Sequence, residues 1–314
     1  MALQMDAQVA DALAPLAVAV TTIPPAGDWR TRRETGDALL ADFARALPGQ
    51  TGTEATRHTA AALDGTPIEL RFYRSIETTR GPLAVYLHGG GMFSGSLDTH
   101  GAVCRRYATS SGVPVLAAAF RLAPEHPFPT AVEDSYAALC WAVEHAGELG
   151  VDPSRIAIMG DSAGAGMAAA VALMVRDRGG PVLARQILIH PMLDDRTTSA
   201  DAHLEPWLVW TGVDNRTGWG CLLGDAAGGP DVPGYASPAR EPDLVGLAPA
   251  YIEIGQLDLF RAETVEYVER LGRAGVEVEF HLHAGVPHLF DLWAPHSDIA
   301  RRAVADRVRV LRAL

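Results

Sequence analysis

The feature that most restricts the fold is a series of apolar runs rich in β-branched residues, each followed by a turn or a helical pattern. "PLAVYLH" (82–88), "VPVLAAAFR" (113–121), "RIAIMG" (155–160), "RQILIHP" (185–191) and "PAYIEIG" (249–255) are nearly continuous in hydrophobicity. Such strands are buried on both faces, as in a mostly parallel sheet covered by helices. "TPIELRFYR" (66–74), entered through an Asp64–Gly65 turn, and "VEVEFHLH" (276–283) alternate and are further strands. Helical patterns lie between them. Val132, Tyr136, Leu139, Ala142 and Val143 recur at helical spacing, "SAGAGMAAAVALMVRDRGG" is a small-residue helix with a Gly-Gly stop, and "AETVEYVERLGRAG" and "SDIARRAVADRVRVLRAL" are amphipathic. The alternation predicts an α/β fold with a mostly parallel central sheet flanked by helices on both faces.

Two stretches break the alternation. Residues 1–55 read as helical and precede the first strand. Residues 193–240 separate two core strands and contain the Trp-rich "EPWLVWTGVDNRTGWGCLLGD". An insertion of that size is a candidate lid or cap. The 314 residues, 48% hydrophobic, suffice for a large core. A net charge of −12 argues against broad binding to nucleic acid or anionic membrane, because the long-range field repels phosphates. Cys104, Cys140 and Cys221 have neither CxxC nor metal spacing and read as thiols of a reducing compartment. The N-terminus is apolar but lacks a basic start, Asp6 and Asp11 interrupt it, and no run approaches the ~18 residues of a membrane span. The expectation is a soluble, cytoplasmic protein.

The sharpest chemical signal is "MGDSAGAG". Gly160, Ser162 and Gly164 match G-x-S-x-G between a strand and a helix, the context of a nucleophile elbow. Side chains two residues either side of the serine would strike the neighbouring strand and helix, and glycine avoids that. A serine hydroxyl needs a base. His288, in the loop after "VEVEFHL" and before the last helix, is the candidate. His281 and His283 form an H-x-H pair that reads as strand-end packing rather than a metal site; His88 reads as a loop-orienting residue. The remaining histidines have no partner pattern. The base needs a carboxylate to fix its tautomer and stabilise the imidazolium. Asp258 ends "AYIEIGQLD" and gives the chain order Ser, Asp, His; Asp291 would sit beside the base rather than behind it.

Five blocks then support a resemblance: "HGGG" (88–91), "FRLAPEHPFPTAVED" (120–134), "GDSAG" (160–164), "GQLDLFRAE" (255–263) and "GVPHLF" (285–290). In order and spacing they resemble the bacterial hormone-sensitive-lipase family (family IV) of α/β-hydrolase carboxylesterases. The resemblance implies Ser162 as nucleophile, Asp258 as acid and His288 as base. It implies an oxyanion hole of the Gly90, Gly91 and Ala163 amides, no metal and no organic cofactor, small ester substrates, and a homodimer. It also implies a cap, so the expected organisation is N-terminal cap helices at 1–55, a catalytic core at 56–192 and 241–314, and a cap insertion at 193–240. Departures from the family pattern are Phe120, Ala165, Gln256, Leu259 and Leu289, none of which removes a catalytic group.

Met92, Phe93, Trp207, Leu208, Trp210, Leu289, Phe290 and Trp293 are candidate lining for an apolar substrate site, with Met92, Phe93, Trp207, Trp210 and Leu289 the foremost. Arg121, Glu125, Glu133 and Asp134 are expected to frame the glycine loop from behind. The predicted activity is hydrolysis of short- to medium-chain esters through an acyl-enzyme. The same triad would serve an amidase, a lactonase or a transacylase. His288 speaks against a binding-only protein, since plant receptors of this fold have lost that histidine.

Overall fold

A computed structural model describes residues 3–19, 24–49, 51–76 and 81–314. Residues 1, 2, 20–23 and 50 of the expected N-terminal helical stretch lie outside the described residues. The strands are β1 (Thr53–Ala61), β2 (Pro67–Ser75), β3 (Gly81–Leu87), β4 (Val115–Ala118), β5 (Val151–Asp161), β6 (Arg185–Ile189), β7 (Ala250–Gly255) and β8 (Val278–His283). The helices are α1 (Ala7–Ala19), α2 (Trp29–Ala46), α3 (Gly101–Ser111), α4 (Thr130–Glu144), α5 (Ala146–Leu149), α6 (Ala163–Arg178), α7 (Gly212–Leu223), α8 (Arg261–Arg273), α9 (Phe290–Trp293) and α10 (Asp298–Arg312).

One eight-stranded sheet runs β1-β2-β4-β3-β5-β6-β7-β8. Pairing is antiparallel for β1–β2 and β2–β4 and parallel from β4 to β8. The five continuous apolar runs are β3 to β7, and both their faces are covered. Leu83, Val85 and Leu87 pack with Leu139 of α4 and Leu173 of α6, while Ala84 and Tyr86 pack on the other face with Tyr107 of α3 and Leu311 of α10.

β1 departs from the expectation that the chain is helical up to residue 55. "TEATRHTAA" has no apolar stripe, and only Ala60 is buried. Its order comes from the full-length ladder with β2, from Thr53↔Ser75 to Ala61↔Pro67, closed by the Asp64–Gly65 turn. As the edge strand of a hairpin it is exposed on nearly every residue, so its residues show no hydrophobic alternation for a periodicity to reveal.

Two polar devices tie the layers together. Under the sheet, the Arg307 guanidinium of α10 pairs with Glu253 of β7 and, at 2.8 Å, with Asp291, which also meets Arg106 of α3 at 2.7 Å. All four are buried, and removing one partner of such a set typically costs about 3–5 kcal/mol. At the other end, Arg32 of α2 donates to Asp214 of α7 at 2.8 Å, and the Gly27 amide donates to the Thr217 hydroxyl at 3.0 Å. The N-terminal helical stretch and the 193–240 segment therefore meet each other. α7 starts with a Thr211–Asp214 capping box, which satisfies two backbone donors of its first turn.

Candidate active site

β5 delivers Ser162 to the C-terminal edge of the sheet, and α6 begins at the next residue. Ser162 has φ 54° and ψ −120°, a conformation that costs on the order of 1–3 kcal/mol and needs support from its surroundings. Its amide donates to Ile189 O at 2.8 Å and its carbonyl accepts from Met192 N–H at 3.1 Å, so the end of β6 and the turn after it hold it. The flanking glycines answer the steric demand. A Cβ on Gly160 would lie 2.3 Å from Gly164 O, and one on Gly164 would lie 2.1 Å from Leu87 O.

His288 Nε2 lies 2.9 Å from Ser162 Oγ, and His288 Nδ1 lies 2.8 Å from Asp258 Oδ2. Asp258 is fully buried and His288 nearly so, and Asp258 Oδ1 accepts from Phe260 N–H at 3.0 Å. Burial works to raise the Asp258 pKa, but His288 and a second imidazole hold it below the usual carboxylate range. Asp291 is committed to Arg307 and Arg106, away from His288. Trp293 braces the histidine loop by donating Nε1–H to His288 O at 2.8 Å.

The glycine loop faces the elbow. Its amides at Gly90 and Gly91 donate to no acceptor among the described residues, and Ala163 opens α6, where first-turn amides have no intrahelical partner. Ala163 thus stands directly after Ser162 at a helix N-terminus, which favours negative charge. Gly90 has φ 120°, and a Cβ there would sit 2.1 Å from Ser94 O; the Gly91 position is closed by the Trp210 ring, 2.4 Å from a Cβ. The loop is joined to the elbow by Asp161, which accepts from Gly89 N–H at 3.2 Å and from the Tyr86 hydroxyl. His88 donates Nδ1–H to Gly89 O at 2.7 Å and lies against Phe120 and His100; burial pushes its pKa down to about 3, so it stays neutral.

The expected acidic frame divides into separate pairs. Arg121 holds Asp134 and Asp64, Glu133 holds Arg178, and only Glu125 reaches the glycine loop, through Arg33 of α2. Arg33 also donates to Phe93 O and Ala123 O, and Asp37 accepts from Gly95 N–H at 2.8 Å. Nothing local links residue 33 to residue 93, so this grip of α2 on the loop is visible only in the tertiary structure.

Of the lining candidates, Met92 and Phe93 are buried beside the loop, and Phe93 stacks on Trp210 at 6.2 Å. Trp207 is half-buried on a separate 3-10 turn, Glu205–Trp207. Leu289 and Trp293 pack with Tyr86 and Met159, on the face of the sheet opposite the Met92 and Phe93 cluster. Phe290 lies against the rings of His190 and His283. A narrow apolar cavity of about 10 Å³ lies between Met92, Met167, Leu222 and Tyr235.

His190 has no partner pattern in the sequence, and the fold supplies one. Its Nδ1 lies 2.6 Å from Asp258 Oδ2. The available signal was positional: "LIHP" ends the strand between β5, which leads to the serine, and β7, which leads to the aspartate. Among the described residues, His190, Asp258 and His288 have the donor types of a metal site. Their N···O distances of 2.6 and 2.8 Å are those of direct hydrogen bonds. Glu279, His281 and Asp306 form a second grouping, in which Arg309 already pairs with both carboxylates. His281 and His283 stack at 5.9 Å on the strand.

A sequence profile of the alpha/beta hydrolase fold matches residues 84–292. The chain belongs to the alpha/beta hydrolase family. Within it, the chain is 36% identical over 267 residues to Esterase LipI of Mycobacterium tuberculosis, covering 81% of each. It is 42% identical over 204 residues to Carboxylesterase NlhH of the same species, covering 63% of each. Among solved structures it superposes on a bacterial heroin esterase with a TM-score of 0.87 at 34% identity, covering 99% of this chain and 98% of that one. No described helix of this alpha/beta hydrolase is long and apolar enough to cross a membrane.

Proposed function

We propose that this alpha/beta hydrolase is a serine carboxylesterase that hydrolyses short- to medium-chain carboxylic esters through an acyl-enzyme. The observation that carries the reading is the continuous chain Ser162 Oγ, His288, Asp258, with links of 2.9 and 2.8 Å. His288 takes the serine proton as Oγ attacks the ester carbonyl. Asp258, an acceptor only, keeps Nδ1 protonated so that Nε2 is free to act as base. The oxyanion is received by the amides of Gly90, Gly91 and Ala163. His288 returns the proton to the departing alcohol, and water, activated by the same imidazole, releases the acid. Each amide contributes roughly 10²–10³ in kcat in sites of this kind.

The N-terminal helices and residues 193–240 act as the cap in this reading. Support comes from the Arg32–Asp214 pair that joins them and from Trp210, which lies over Gly91 and stacks on Phe93. Three free cysteines accord with a cytoplasmic setting. The test is hydrolysis of p-nitrophenyl butyrate by wild type and Ser162→Ala, with stoichiometric labelling of Ser162 by an organophosphonate. Equal rates in the two proteins, or no labelling, would overturn the assignment.

A further inference from the structure

His190 is fully buried at the end of β6, with φ 48°, and the mechanism above makes no use of it. Its amide donates to Glu253 O at 2.9 Å, its Nδ1 meets Asp258 Oδ2, and its Nε2 has no partner among the described residues. A left-handed backbone at a non-glycine residue and a buried unpaired nitrogen are each destabilising. An aliphatic side chain would avoid the second cost, so packing alone does not explain an imidazole here.

The tautomer follows from the acceptor. Asp258 is ionised and can only accept, so His190 Nδ1 carries the hydrogen and Nε2 is the bare nitrogen. Burial, ahead of its other interactions, lowers the His190 pKa and keeps the ring neutral. The charged and titratable groups facing it are Asp258, His288 and Glu253, and Glu253 is itself paired with Arg307. One carboxylate oxygen therefore receives two imidazole N–H groups, while the other receives the Phe260 amide. Each added donor holds the carboxylate in place and draws off charge that would otherwise stabilise a protonated His288.

On the basis of the esterase reading above, we propose that His190 is a positioning residue: by sharing Asp258 Oδ2 with His288 it sets the pH at which His288 begins to act as base. Removing its donor leaves more negative charge facing His288, so the imidazolium persists to higher pH.

The test is the pH profile of kcat/KM for p-nitrophenyl butyrate, on enzyme counted by phosphonate titration. In His190→Phe the acid limb should move up by about half to one pH unit. His190→Asn, whose amide nitrogen occupies the Nδ1 position, should retain most of the wild-type limb. The His190→Phe shift should vanish in an Asp258→Asn background. ¹⁵N NMR of histidine-labelled wild type should find His190 as the Nδ1–H tautomer, neutral at pH 7 and above, and this holds whether or not a variant folds. An unmoved limb in folded, fully titrating His190→Phe, or an Nε2–H or titrating His190, would overturn the proposal. Failure of the wild type to hydrolyse or to be labelled would instead remove the esterase reading.

Discussion

The floor and the roof of the site are held by different forces. In the floor, Ser162, Asp258 and His288 stand at the ends of strands or just beyond them, buried and fixed by backbone hydrogen bonds and close glycine contacts. In the roof, α2 holds the glycine loop through Arg33 and Asp37, Trp210 of the 193–240 segment lies against Gly91, the Arg32–Asp214 pair joins α2 to that segment, and the Arg33–Glu125 pair is partly exposed. Exposed pairs of that sort contribute about 0–1 kcal/mol each. Floor changes should therefore remove chemistry or folding, and roof changes should alter substrate handling while the nucleophile stays intact.

The largest effect is expected at the floor. Asp258→Asn should lower kcat for p-nitrophenyl butyrate by about 10⁴ near neutral pH, with the fold retained by circular dichroism. A loss below tenfold would show that the floor tolerates more than the geometry allows. Next, Gly164→Ala forces a methyl to within 2.1 Å of Leu87 O, and chemical denaturation should report a loss of about 3 kcal/mol. Arg33→Ala tests the roof. It frees Phe93 O, Ala123 O and Glu125, so kcat/KM should fall about tenfold, mainly through KM, while phosphonate labelling remains stoichiometric. A kcat effect as large as that of Asp258→Asn would erase the distinction between the two regions.

A pH-dependent effect is expected where floor and roof join. Glu263 of α8 accepts from the Leu193 amide at 2.7 Å, the Asp194 amide at 3.2 Å and the Thr197 hydroxyl, anchoring the start of the 193–240 segment. Burial, aided by the Asp194 charge, pushes its pKa up to about 8, from an unfolded value near 4.5. The folded state then binds the proton more tightly. The stability this gives is complete below about 4.5 and is lost as pH rises through about 8. The Tm of wild type should decline from pH 6 to 9, and Glu263→Gln should flatten the decline. A decline of equal slope in the variant would assign it to other groups.

Much of this was legible locally. β3 to β7 were readable because a strand covered on both faces must be apolar throughout. The elbow was readable because Gly160 and Gly164 answer a steric demand confined to a few residues. Ser162, Asp258 and His288 were readable because each follows a recognisable strand. β1 escaped because an exposed edge strand carries no hydrophobic signature. The Arg33 grip escaped because its acceptors are carbonyls, which any residue supplies. Leu289 was grouped with Met92 and Phe93, but a left-handed φ of 50° accompanies its packing with Tyr86 and Trp293 instead.

Residue order and type were enough to specify a parallel core, a strained serine turn and the candidates for base and acid, since each depends on neighbours a few positions away. The sheet order β5-β6-β7 then supplied what no local pattern carries. It set the strand ending in His190 between the one that carries Ser162 and the one that leads to Asp258. Two histidines 98 positions apart thereby came to share one carboxylate oxygen, because hydrogen bonds act over a few ångströms while the chain between their donors is long.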